Sequence, residues 1–152
     1  MIKFRRIFID TNILINAYTG KYTGNTYFKK CLDYIFRLDN VKIYTSVNAI
    51  LVMFSKLQKK SGNRPAVSKQ EIETYYNSLL KKIEILDCTK KDIDNSIKLN
   101  FNDMEDNYQY IVGKKVDCNV FITETAYPLR SSCLFFSYIF CIDSTNFNSL
   151  LH

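Results

Sequence analysis

Arg5-Arg6-Ile7-Phe8-Ile9-Asp10-Thr11-Asn12-Ile13-Leu14-Ile15 reads as a short apolar strand that ends on a carboxylate and runs straight into a helix. In parallel sheets, ligands bind at strand ends, because the helix that follows presents its free N–H groups there. An acid at that spot has two uses. It can cap the next helix, or it can hold a metal ion from a rigid element. Taken alone, the stretch favours the cap, and the rest of the chain has to shift that balance.

Working outward, apolar periods of strand and helix type alternate. Phe4–Ile9 is expected as the first strand, and Thr11–Tyr18 as a helix followed by a loop punctuated by Gly20 and Gly24. Residues 27–38 place Phe28, Leu32, Ile35 and Phe36 on one helical face. Val41–Thr45 is a β-branched strand, and Ser46 caps a helix that turns Val47, Ile50, Leu51, Phe54 and Leu57 inward. Residues 59–65 form the clearest loop. Ser68 and Glu71 make a capping box for a helix carrying Ile72, Tyr75, Tyr76, Leu79, Leu80 and Ile83. Glu84–Leu86 is a third strand. Thr89 caps a helix through Ile97, and Asp103 caps another to about Gly113. Val120–Thr123 and Phe140–Ile142 are strands four and five. Strands spaced by helices imply a parallel sheet covered on both faces, an α/β/α sandwich.

The 152 residues are expected to form one domain, 1–152, large enough for a proper core. A hydrophobic share of 47% with 24% charged residues excludes a disordered chain, and four glycines with two prolines argue against an all-β design. The five cysteines lack CxxC spacing and the single histidine is His152, so a Cys/His zinc site is excluded in favour of reduced thiols in a cytoplasmic protein. No apolar run is long enough to span a bilayer, so no membrane partner is expected. The net charge of +6 favours a polyanionic partner, although a solvated lysine-rich surface has the same signature.

The acids fall in two places. Asp10 ends strand one. Asp103-Met104-Glu105-Asp106 opens a helix with three carboxylates, which the positive helix N-terminus tolerates, and Asp103 and Asp106 share a face. In a parallel sheet the end of strand four, Thr123-Glu124-Thr125, lies beside Asp10.

In the order and spacing of these segments the chain resembles the PIN domain, the metal-dependent nuclease fold of VapC-type toxins and RNA-processing enzymes. The resemblance is carried by residues 7–14, 103–106 and 116–123, and by the tail Cys141-Ile142-Asp143-Ser144-Thr145-Asn146-Phe147. It implies a three-layer α/β/α sandwich with a short, mostly parallel five-stranded sheet. It further implies clustered carboxylates holding Mg²⁺ or Mn²⁺, with RNA as substrate, an antitoxin protein as partner and a homodimer. Asp10 and Asp106 match the firm ligands, Asn12 the amide beside the first acid, and Thr123 the hydroxyl that orients it. Asp103 joins the metal set, although capping is its simpler use. Glu124 is a further candidate helper, and Glu105 is expected to face solvent.

Two positions depart from the family pattern. Val52 stands where an acid is expected, and Thr125 stands where a carboxylate or amide is expected. Phosphate contacts are assigned to Arg130, Lys114 and Lys115, and Tyr18, Tyr22, Tyr27 and Tyr127 are candidates for base stacking. The implied function is a divalent-metal-dependent endoribonuclease, as the toxin of a toxin–antitoxin pair. The alternative is a catalytically impaired PIN-like module that binds RNA or a protein.

Overall fold

The structure is a computed structural model that describes residues 6–99, 104–124 and 138–141. Five parallel strands form one sheet in the order β3-β2-β1-β4-β5. The strands are β1 (Arg6–Ile9), β2 (Lys42–Ser46), β3 (Glu84–Leu86), β4 (Val120–Thr123) and β5 (Tyr138–Cys141). Among the described residues six helices lie between β1 and β4: α1 (Thr11–Thr23), α2 (Tyr27–Ile35), α3 (Val47–Leu57), α4 (Lys69–Leu80), α5 (Lys90–Ile97) and α6 (Met104–Lys115).

Alternation along the strands makes the three layers. Ile7, Ile9, Ile43, Val120 and Ile122 pack on one side of the sheet with residues of α1 to α4. Phe8, Tyr44, Leu86 and Phe121 face the other side, against Tyr108, Tyr110 and Val112 of α6. Phe8 and Phe121 are register partners on adjacent strands, and their rings stack 5.3 Å apart. Each fully buried ring contributes roughly 1.5–3 kcal/mol. No helix among the described residues is long and apolar enough to cross a membrane. The α/β/α sandwich and its five-stranded sheet therefore appear as expected.

Three local expectations are corrected. First, α1 does not stop at Tyr18 but continues through Gly20 to Thr23. Gly20 sits inside the helix because a Cβ there would lie 2.2 Å from the carbonyl oxygen of Asn25. Gly24 ends the helix in the left-handed region (φ 77°), with its N–H donating to the Gly20 carbonyl at 2.9 Å. Second, α3 buries Ala49, Ile50, Met53 and Leu57, whereas Leu51 is 58% exposed and Val47 and Phe54 are only half-buried. Third, α2 ends at Ile35 rather than Leu38, with its last carbonyls taken up by the turn that follows.

The caps expected at Ser46, Ser68 and Thr89 form. Ser46 accepts from the Ala49 N–H at 3.0 Å, and both Ser68–Glu71 and Thr89–Asp92 form reciprocal capping boxes. Cys31 and Cys118 are buried thiols whose pKa burial pushes up to about 12, which makes them core residues rather than nucleophiles.

Candidate active site at the carboxyl ends of β1 and β4

The chain runs from β1 outward to β2 and β3, then returns to place β4 on the opposite flank of β1. This reversal makes the gap between β1 and β4 a topological switch point, where open α/β sheets leave a crevice beyond the strand ends. Asp10 occupies that point. Its backbone N–H donates to the Ile122 carbonyl at 3.0 Å, extending the β1–β4 ladder by one step. The side chain is 3% exposed.

Both Asp10 oxygens are held. Oδ1 accepts from the Thr11 N–H at 2.7 Å, and Oδ2 accepts from the Thr123 hydroxyl at 2.8 Å. Of the two uses foreseen for this acid, the structure shows the cap: Asp10 stands at the N-cap of α1, while its second oxygen is bonded to β4. Thr123 is completely buried at the end of β4, where its hydroxyl donates to Asp10. Asn12 is half-buried in the first turn of α1. One turn further, Asn16 donates its amide to Glu124 Oε2 at 2.8 Å, which turns Glu124 toward α1.

The first turn of α6 meets the same end of the sheet. Glu105 does not face open solvent, because its carboxylate accepts from the Thr11 hydroxyl at 3.1 Å. Four residues on, Gln109 donates its amide to the same hydroxyl oxygen at 2.9 Å and accepts from the Ser46 hydroxyl at 2.8 Å. Gln109 and Ser46 are fully buried and Thr11 is 1% exposed. Asp106 is half-buried in the same turn as Glu105, one turn before Gln109. The start of α6 is thus tied to the start of α1 by two hydrogen bonds to the Thr11 hydroxyl, from Glu105 and Gln109.

Sequence reasoning missed Thr11, Ser46 and Gln109. The signal was present, since Gln109 is a polar residue among the apolar positions of α6 and lies four residues from Glu105, on the same face.

The basic candidates behave differently. Lys115 lies at the far end of α6, where its ammonium meets Asp92 at 2.7 Å and the Asp87 carbonyl at 3.1 Å. Lys114 is exposed beside it. Arg64 donates to the carbonyls of Lys56, Leu57, Lys59 and Pro65 and so closes the carboxyl end of α3. Tyr18 is spent on packing, 4.8 Å from the Tyr75 ring with the Lys21 ammonium over its face. Asp103, Thr125, Tyr127 and Arg130 lie outside the described residues.

The side chains gathered here offer only oxygen, as hydroxyl, amide and carboxylate groups, and this donor chemistry suits a hard divalent cation. Among the described residues, no three acidic, histidine or cysteine side chains come close enough to cage an ion. A cation held by one or two carboxylates that keeps most of its waters is compatible with this set, and Mg²⁺ is commonly bound in that way.

Comparison with known proteins gives a consistent answer. Residues 6–125 match the family model described as a PIN domain. A curated relative, ribonuclease VapC1 of Aquifex aeolicus, is 21% identical over 123 residues, covering 78% of this chain and 80% of its own length. VapBC2 from Rickettsia felis, solved bound to a DNA fragment from its promoter, superposes with a TM-score of 0.60 at 13% identity, covering 83% of this chain and 92% of that one. A toxin–antitoxin complex from Klebsiella pneumoniae gives 0.59 at 14% identity, covering 90% and 98%.

Proposed function

Since the chain belongs to the PIN-domain family, we propose that it is a divalent-metal-dependent endoribonuclease whose site lies at the carboxyl ends of β1 and β4. The observation that carries this reading is the clamped Asp10. A buried carboxylate at the switch point is gripped on both oxygens, and the acidic turn of α6 packs against the residue that grips it.

In this reading Asp10 and Asp106 hold Mg²⁺ or Mn²⁺, with Asp103 as a further ligand. The bound ion supplies Lewis-acid polarisation of the phosphate and a water acidic enough to act at neutral pH. The chain's own residues do the rest. Thr123 and the Thr11 N–H stop the Asp10 carboxylate from rotating. Asn12 presents an amide beside it. Lys114 and Lys115 add positive charge that attracts the RNA backbone. Lys115 does so while paired with Asp92, so its share is the weaker. Arg130 is assigned to a phosphate contact on the same grounds.

The likeness to VapBC2 and to a toxin–antitoxin complex supports a further step, that this chain is the toxin of a toxin–antitoxin pair with an antitoxin as partner; a homodimer in the cytoplasm completes the proposal.

The test is RNA cleavage with and without Mn²⁺. Asp10→Asn keeps the size and the Thr11 contact but removes the charge. Cleavage is expected to fall at least about a hundredfold, the scale of losing a principal electrostatic group. Cleavage that survives a chelator, or an unimpaired Asp10→Asn protein, overturns the proposal.

One observation favours a second reading. The half-buried apolar Val52 stands where the family pattern places an acid, which suits an RNA-binding module that has lost turnover. RNA affinity without cleavage in the same assay selects it.

A further inference from the structure

Gln109 has no capping role and carries no charge, yet it is completely buried between two other polar side chains. Leaving a buried amide unpaired costs about 1–3 kcal/mol, so its contacts are not incidental.

Their directions follow from donor and acceptor chemistry. The Glu105 carboxylate can only accept, so the hydroxyl hydrogen of Thr11 points to it at 3.1 Å. The Thr11 oxygen then offers a lone pair toward Gln109, whose amide nitrogen donates at 2.9 Å. The Gln109 carbonyl is left for Ser46, 2.8 Å away. Ser46 has its hydrogen to give, because the oxygen it presents to Ala49 is acting as an acceptor. Every hydrogen in the chain Ser46–Gln109–Thr11–Glu105 therefore runs the same way. Reversing the amide would draw the Thr11 hydrogen to Gln109 and away from Glu105.

We propose that Gln109 is a positioning residue for the reaction inferred above, on which this proposal rests: it commits the Thr11 hydroxyl to Glu105 and so ties the acidic turn of α6 to the residue that grips Asp10. Thr11 becomes a double clamp, with its N–H on Asp10 and its hydroxyl on Glu105. The chain has no acid at Val52, so its anionic charge at this end depends on holding the acids of α6 in place.

The experiment is a double-mutant cycle with a second measurement that does not need turnover. Gln109→Met keeps the volume and removes the amide, and Thr11→Val removes the hydroxyl. Each is expected to lower kcat about tenfold with KM little changed, and the double variant is expected to fall no further than either single one, as members of one unit do. Thr11→Ser keeps the hydroxyl and is expected to restore most of the rate. In the metal-free wild type, NMR is expected to show a slowly exchanging Thr11 hydroxyl proton coupled through space to the Gln109 amide, and to lose it in Gln109→Met.

Independent, multiplicative losses in kcat, or a loss confined to KM, overturn the proposal. So does a wild-type Thr11 hydroxyl proton that exchanges freely. If Gln109→Met does not fold, the Thr11→Val and Thr11→Ser pair decides alone, and equal kcat in those two overturns the proposal. If the proton is protected as expected but the wild type cleaves no RNA, the hydrogen-bonded chain stands and the nuclease reading is the one that falls.

Discussion

Asp10 and Thr123 were legible one at a time because each ends a strand, and a strand end in a parallel sheet has a known place. Glu105 was not. Its position on α6 gave no hint of Thr11, a partner 94 residues earlier in the chain that only the packed structure supplies. Gly20 was misread for a related reason. Glycine commonly marks a loop, but here it marks a close approach, with the Asn25 carbonyl where a side chain would begin. Gly20→Ala is therefore expected to destabilise the fold by about 2 kcal/mol, since the clash with backbone outweighs the better helix propensity of alanine. The check is the urea midpoint, and a variant as stable as the wild type would show that residues 25–26 can move aside.

At the scale of elements, starts were easier to read than faces. Ser46, Ser68 and Thr89 announce their helices by local chemistry, and all three caps form. The inward face of α3 was misread because nearly every residue from Val47 to Phe54 is apolar, so periodicity could not choose Met53 over Leu51. The pairing of α5 with α6 was equally hidden, and it carries an ion pair between Lys115 and the buried Asp92. Burial works to raise the Asp92 pKa. The Lys115 ammonium and the N–H and hydroxyl of Thr89 outweigh it and hold the carboxyl below its ordinary value of 3.8. A pKa depressed by folding contributes stability that is present above the unfolded value and lost as the pH falls through the folded one. The pair is thus expected to contribute fully above about pH 5 and to fade below about pH 4. Lys115→Met is expected to cost about 2 kcal/mol at neutral pH, with a smaller penalty in acid. Denaturant titrations at pH 7 and pH 3 measure the difference, and an equal penalty at both would remove the ion pair from the explanation.

For the whole molecule, the order of strand and helix segments was enough to give the sandwich, because alternating periods leave few ways to build a parallel sheet. What remained unreadable was which charges serve the surface and which serve the fold. Arg6 illustrates this, as its partly exposed guanidinium reaches the Val116 carbonyl and Asp117. The net charge of +6 is what the proposed RNA partner would meet. With cleavage disabled by Asp10→Asn, single-stranded RNA is expected to bind with an affinity that falls linearly on a log–log plot against salt, by about 0.7 per phosphate neutralised. A salt-independent affinity would point away from the RNA backbone as the ligand.

The central β1–β4 pairing joins segments more than a hundred residues apart. A ribosome delivers Asp10 early and Thr123 late, with Glu105 and Gln109 not far ahead of it. Throughout most of synthesis the emerging polypeptide carries the acid but none of the side chains that aim it. Under the proposed function, a nascent or truncated copy ending before α6 lacks Asp106, Gln109 and Thr123 and is expected to be inert.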